Sequence, residues 1–261
     1  MLRILYAALA SLSVITSSMY SFADDGVYEL RVYTCEPGKI DALHSRFKDH
    51  TMRIFEKHGM KNIAYWIPSD TEANATESSD SEDNKDRLIY IIRHESRDAA
   101  AASWKAFIAD PEWKAVAKAS REAHGKILSK SPESTYMTLT DYSPKIGKAD
   151  PNKTYELRTY VTEPGRLDAL NARFRDHTMK IFSRHGLKSF GYWTPQDDPA
   201  SKNTLIYVLE YENRDAAKAG WKKFGADPEW KKARAAPEKD GKILSQRPAS
   251  LYMVPTGYTP E

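Results

Sequence analysis

From Val27 to Thr34 the chain alternates, with Tyr28, Leu30 and Val32 on one side and Glu29, Arg31 and Tyr33 on the other. A period of two built from β-branched and aromatic residues predicts a strand. Glu36-Pro37-Gly38 is turn chemistry. Apolar positions then recur three to four residues apart, at Ile40, Leu43, Phe47, Ile54 and Phe55. That stripe predicts a helix from about Lys39 to His58, ended by Gly59 in a left-handed cap. Ile63 to Ile67 reads as a short strand stopped by Pro68, and Leu88 to Ile92 as a strand covered on both faces. Ser96 can cap an Ala-rich helix carrying Trp104 and Phe107, with Asn213 at the matching place further on. Asp110-Pro111-Glu112-Trp113 begins another helix, with Asp as cap and Pro at its first position. Glu133 to Leu139 supplies a last strand.

The chain then repeats itself. Tyr28-Glu29-Leu30-Arg31 returns as Tyr155-Glu156-Leu157-Arg158, and Arg46-Phe47-Lys48-Asp49-His50-Thr51-Met52 as Arg173-Phe174-Arg175-Asp176-His177-Thr178-Met179. Glu36-Pro37-Gly38, His58-Gly59 and Tyr65-Trp66 also recur, and every tryptophan has a counterpart. Each copy reads strand, helix, strand, strand, helix, strand, a ferredoxin-like unit. Such a sheet carries helices on one face only, so two copies can bury their bare faces against each other. The expected fold is therefore α+β, two ferredoxin-like βαββαβ repeats packed sheet to sheet as a dimeric α+β-barrel module. The expected divisions are a leader over 1–23, repeat 1 over 27–144, a linker over 145–153 and repeat 2 over 154–260.

Arg3, the apolar run Ile4 to Ile15 and Ser21-Phe22-Ala23 have the layout of a secretory signal, which implies a periplasmic or secreted protein. The run is shorter than the roughly 20 apolar residues of a span, and no second such segment follows, so no membrane span is expected after the leader is removed. The 39 basic and 36 acidic residues are interspersed, which excludes the basic footprint of a nucleic-acid binder. Cys35 is the single cysteine, expected as a half-buried thiol at a strand end. The acidic, Ser/Asn-rich stretch before Leu88 is about ten residues longer than its Pro-Gln-Asp-rich counterpart in the second copy and contains the sequon Asn74-Ala75-Thr76.

The Tyr-Glu-Leu-Arg strand, Glu-Pro-Gly turn, Phe-x-x-His, His-Gly, Tyr-Trp and Asp-Pro-Glu-Trp motifs together resemble the NIPSNAP family, across nearly the whole chain after the leader and in both copies. The resemblance implies the dimeric α+β barrel fold. It implies little chemistry, because the family's activity is poorly defined and its better-studied members are mitochondrial proteins linked to protein interactions, a setting a secretory leader does not share. The wider barrel group includes cofactor-free monooxygenases and haem-binding enzymes, which keeps an enzyme in view by analogy only.

His50 and His177 are the candidate catalytic residues, each expected on the apolar stripe of its helix, as a base beside a pocket or a bonded core histidine. His44, with Asn171 as counterpart, reads as surface. His50 and His58 would lie about 12 Å apart along a helix, too far to share a metal, so no metal site is expected. Glu29, Arg31, Glu156 and Arg158 share the strand face expected opposite the helices, inside the barrel, where they could hold an anion or pin the halves together. Tyr33, Trp66 and Tyr90, with Tyr160, Trp193 and Tyr207, complete the expected ligand-binding set, as an aromatic cavity or as core. The leading expectation is a protein that binds a small molecule or protein partner through its barrel. An oxygenase-like or isomerase-like enzyme using a barrel-associated histidine and a purely structural interaction module are the alternatives. The sequence requires no cofactor and identifies none, and it leaves a homo-oligomer open.

Overall fold

The computed structural model describes residues 26–69 and 85–260. The expected leader and the sequon at Asn74 lie outside these residues. Repeat 1 runs β1 (Val27–Thr34), α1 (Ile40–Arg46), α2 (Met52–Lys57), β2 (Lys61–Pro68), β3 (Arg87–His94), α3 (Arg97–Ala109), α4 (Pro111–His124) and β4 (Glu133–Leu139). Repeat 2 runs β5 (Thr154–Val161), α5 (Leu167–Arg173), α6 (Met179–Arg184), β6 (Lys188–Pro195), β7 (Thr204–Tyr211), α7 (Arg214–Ala226), α8 (Pro228–Ala235) and β8 (Ala249–Pro255). The eight strands close into a barrel in the order β1-β3-β2-β8-β5-β7-β6-β4, with antiparallel pairing throughout. Each repeat contributes a four-stranded sheet, and the seams between repeats are β2–β8 and β4–β6.

The expected single helix is broken in both copies by a π-helical turn, Phe47–Thr51 and Phe174–Thr178. The widened turn leaves a carbonyl for a side chain. Thr51 Oγ1 donates to Arg46 O at 3.0 Å, and Thr178 Oγ1 to Arg173 O at 3.0 Å. One extra residue per turn shifts the phase of everything after it, which periodic reading at 3.6 residues cannot anticipate. The start signals hold. Ser96 and Asn213 accept from Ala99 N and Ala216 N, and Asp110 and Asp227 cap α4 and α8.

The barrel interior is the apolar face of the strands. Tyr28, Leu30, Trp66, Ile89, Ile91 and Met137 meet Tyr155, Phe190, Trp193, Val208 and Met253 there. Linker residues join this packing, with Ala149 buried and Ile146 against the cluster. A second and a third cluster lie outside the barrel, one between each sheet and its own helices. After its last strand each repeat reaches across to the other. Tyr192 N donates to Ser143 Oγ at 3.1 Å, and Tyr65 N to Thr259 Oγ1 at 3.0 Å. Tyr142 donates to Asn171 Oδ1 at 2.8 Å, while Tyr258 Oη and His44 Nδ1 are 2.7 Å apart. His44 is thus half-buried and bonded, not a surface residue. No helix among the described residues is long and apolar enough to cross a membrane.

Candidate functional site

Glu29 and Glu156 are fully buried carboxylates, each with four donors. Glu29 accepts from Arg31 Nη1 at 2.5 Å, Ser134 Oγ at 2.6 Å, Trp104 Nε1 at 2.8 Å and His94 Nε2 at 2.9 Å. Glu156 accepts from Arg158 Nη1 at 2.5 Å, Ser250 Oγ at 2.5 Å, Tyr211 Oη at 2.5 Å and Trp221 Nε1 at 2.8 Å. Arg31 and Arg158 lie over the Trp104 and Trp221 rings, 4.3 and 4.4 Å from the centroids. These charges do not point into the barrel. The partners Trp104 and Trp221 sit on α3 and α7, so the charged face looks outward to the helices, whereas Tyr28, Leu30 and Val32 look inward. The expectation had the two faces reversed. On that face the helix layer supplies an indole and strand neighbours a hydroxyl, which satisfy the carboxylate.

Burial raises the pKa of Glu29, but the His94 hydrogen bond, the Arg31 charge and the Ser134 and Trp104 hydrogen bonds outweigh it, and the group falls from 4.5 to about 2. Glu156 is lowered in the same way: burial opposes, and Arg158, Ser250, Tyr211 and Trp221 prevail. A carboxylate lowered in the fold contributes stability that is complete above its unfolded pKa and lost as pH falls through its folded one. Stability is therefore expected to be held down to about pH 4.5 and then to drop toward pH 2, with ~3 kcal/mol at stake for Glu29. Denaturant unfolding across that range checks this, and Glu29→Gln should flatten the slope.

The remaining expected site residues scatter. Trp66 and Trp193 are inside the barrel, whereas Tyr33, Tyr90, Tyr160 and Tyr207 are packed on the helix side. The ten residues therefore form no common cavity. His50 and His177 are exposed, because the π turn rotates them off the stripe that Phe47 and Phe174 continue to occupy. Besides His94 on Glu29, His58 and His185 have carboxylate partners, with Nε2 2.7 Å from Asp110 Oδ2 and from Asp227 Oδ2. Both aspartates are also helix caps, so these pairs tie α2 to α4 and α6 to α8. Cys35 is fully buried rather than half-buried, and burial with Asp86 nearby pushes its thiol up to about 11 against the pull of Arg46. Among the described residues no three His, Cys, Asp or Glu side chains gather as a metal site would require.

The concave feature that sequence reading missed lies in repeat 1, between the end of β1, the π turn, α3 and α4. It is a cleft of about 630 Å³ with an aromatic and aliphatic wall that includes Phe47, Phe55, Phe107, Trp113 and Ile127. Its polar lining comprises Tyr33, Arg46, Thr51, Ser120, Arg121 and Lys126, and no carboxylate or histidine lines it. Arg46 Nε and Ser120 Oγ are buried without a hydrogen-bond partner. Burial disfavours the Arg46 charge and lowers its pKa, with Tyr33, Cys35 and Tyr90 only partly opposing. Lys126 is engaged at the rim by Glu36 at 2.8 Å. An outer groove of about 440 Å³ between α1 and α4 shares Arg46 and Ser120 with the cleft and has His50 and Asp49 on its wall. The signal available in the sequence was the recurring arginine before Phe47 and Phe174, which the stripe reading passed over.

Two ferredoxin-like repeats closed into one eight-stranded barrel, with helices outside, define a dimeric α+β barrel built on a single chain. Solved structures with this architecture include an anthrone oxidase-like protein, at 12% identity and a TM-score of 0.56, covering 90% of this chain and 93% of that one. A proposed monooxygenase from Lactobacillus acidophilus NCFM is similar at 13% identity and 0.53, covering 88% and 93%. At such identities the likeness is one of fold. The NIPSNAP family model matches residues 28–76 and 155–260, and the chain belongs to the NIPSNAP family. A search of curated proteins found no match.

Proposed function

We propose that this NIPSNAP protein binds a small molecule, and that it does so in the repeat 1 cleft rather than inside the barrel. The observation that carries this reading is the cleft itself: about 630 Å³, mostly apolar, with Arg46 and Ser120 presenting buried, unpartnered polar atoms. That volume is in the range of small-molecule sites, and an apolar wall with a few convergent polar groups is their usual construction. The barrel interior holds a cluster of its own packed apolar side chains, which favours the cleft over it. Without a histidine or carboxylate on the cleft wall, the lining favours binding over acid–base chemistry. The leader expected over residues 1–23 would set this binding in the periplasm or outside the cell.

The test is calorimetric titration of the purified protein with a panel of naphthalene, phenyl and decyl compounds, each as carboxylate, amide and alcohol. At least one scaffold is expected to bind saturably, one molecule per chain. Ala117→Trp, which fills the cleft from α4 and leaves its polar groups alone, is expected to abolish that binding while the melting temperature holds. Binding that survives Ala117→Trp, or none across the panel, overturns the proposal.

A further inference from the structure

Repeat 2 places a carboxylate where repeat 1 is open. Arg173 is the counterpart of Arg46, and Trp230 of Trp113. Arg173 is 5% exposed, its guanidinium 5.2 Å from the Trp230 ring centroid. Glu238 reaches it, with Oε1 3.8 Å from Arg173 Nη1, and also approaches Arg234 at 3.6 Å. Local sequence makes this possible. Helix α8 stops at Ala235, and the chain turns through a 3₁₀ segment, Pro237–Asp240. Arg166 holds that turn in place, its Nη2 donating to Pro237 O at 2.6 Å and Gly241 O at 3.1 Å. Repeat 1 keeps the glutamate but lacks the turn and the arginine that would bring it to Arg46. Its α4 continues to His124, Arg121 stands at the position of Pro237, and Lys39 stands at that of Arg166; the glutamate matching Glu238, Glu122, is carried on the continuing helix to an exposed place beside Lys118 at 3.8 Å. Among the described residues no carboxylate pairs with Arg46.

We infer that the repeat 1 cleft takes a carboxylate-bearing ligand with an apolar body, its carboxylate meeting Arg46 and Ser120 much as the Glu238 carboxylate meets Arg173 in repeat 2. This rests on the cleft being the binding site proposed above. A guanidinium beside an indole and away from bulk water is most strongly satisfied by a planar anion, which it can hold with paired N–H donors. The Ser120 hydroxyl supplies a further donor, and Arg121 adds a positive charge to the lining. The apolar body is called for by Phe47, Phe55 and Phe107 on the same wall. Repeat 2 is then the closed copy, carrying its own carboxylate in place of a ligand, and one molecule is bound per chain instead of two.

The panel already described separates this inference from the site proposal. For the scaffold that binds, the carboxylate is expected to bind about tenfold or more tightly than its amide, the scale of a charge-assisted hydrogen bond. Arg46→Gln should bring the two to within about twofold while amide binding persists, and Arg46→Lys should retain a preference. Glu238→Ala should open a second site, so that stoichiometry rises from one toward two. Equal affinities for carboxylate and amide, both lost in Ala117→Trp, would overturn the ligand class and leave the site standing. Should Arg46→Gln fail to fold, the wild-type ratio decides: a carboxylate that does not outbind its amide sinks the inference.

Discussion

Glu156→Ala is expected to lower the stability of the fold by about 3–5 kcal/mol, the cost of leaving a buried ionic partner uncompensated. The change removes one acceptor but strands four donors at once: Arg158, Ser250, Tyr211 and Trp221. Arg158 suffers most, since its other contacts are the Trp221 face and the Tyr160 ring and hydroxyl. For a chain of this size the loss corresponds to a fall in melting temperature of roughly 10 °C. Glu29→Ala should behave alike, because Arg31, Ser134, Trp104 and His94 are stranded there. Denaturant unfolding with an unchanged m-value is the measurement. A loss below about 1 kcal/mol would show that water or rearrangement satisfies the donors, and that the carboxylate is not what ties sheet to helix.

Glu156 also shows where sequence reading stopped. The Glu-x-Arg pair was visible twice, and so was its position on a strand. Its direction was not. Alternation identifies two faces without saying which one meets the helices, and Tyr33 among the charged residues gave that face an aromatic as well. The deciding information lay far away in the chain, in Trp104 and Trp221, whose indole N–H groups can serve a carboxylate. Repeats, strand order and helix caps depend on local pattern and came through intact. The π turns shift the helix phase after Phe47 and Phe174, and so removed His50 and His177 from the interior. The cleft in repeat 1 depends on a difference between copies, Arg121-Glu122 against Pro237-Glu238, that looks minor until α4 is seen to run straight where α8 turns. Internal duplication therefore exposed the shared scaffold readily, and the departures from it point to where the copies have separated in role.

Trp193→Ala is the second large effect, expected at about 3–5 kcal/mol for a fully buried indole. The seams explain why the damage should be regional as well. The two sheets are paired across their seams by three residue pairs at β4–β6 and three at β2–β8, against eight in each of the pairings β1–β3 and β5–β7. Trp193 stands in the first seam opposite Leu139, and Trp66 in the second opposite Pro255. Within the barrel Trp193 meets Tyr28 of the other repeat at 5.8 Å between centroids, and Trp66 meets Tyr155 and Phe190 at 5.7 Å each. Gly191 leaves room for this arrangement, since a Cβ there would come within 2.3 Å of the Trp193 ring. Short seams put the burden of joining the halves on interior packing, so truncating either indole should loosen the junction before the sheets themselves. Amide hydrogen exchange is expected to accelerate first in β4 and β6 for Trp193→Ala, and in β2 and β8 for Trp66→Ala, with β3 and β7 protected. Uniform acceleration across all eight strands would instead mean that the barrel opens only by global unfolding, with the seams as strong as the rest.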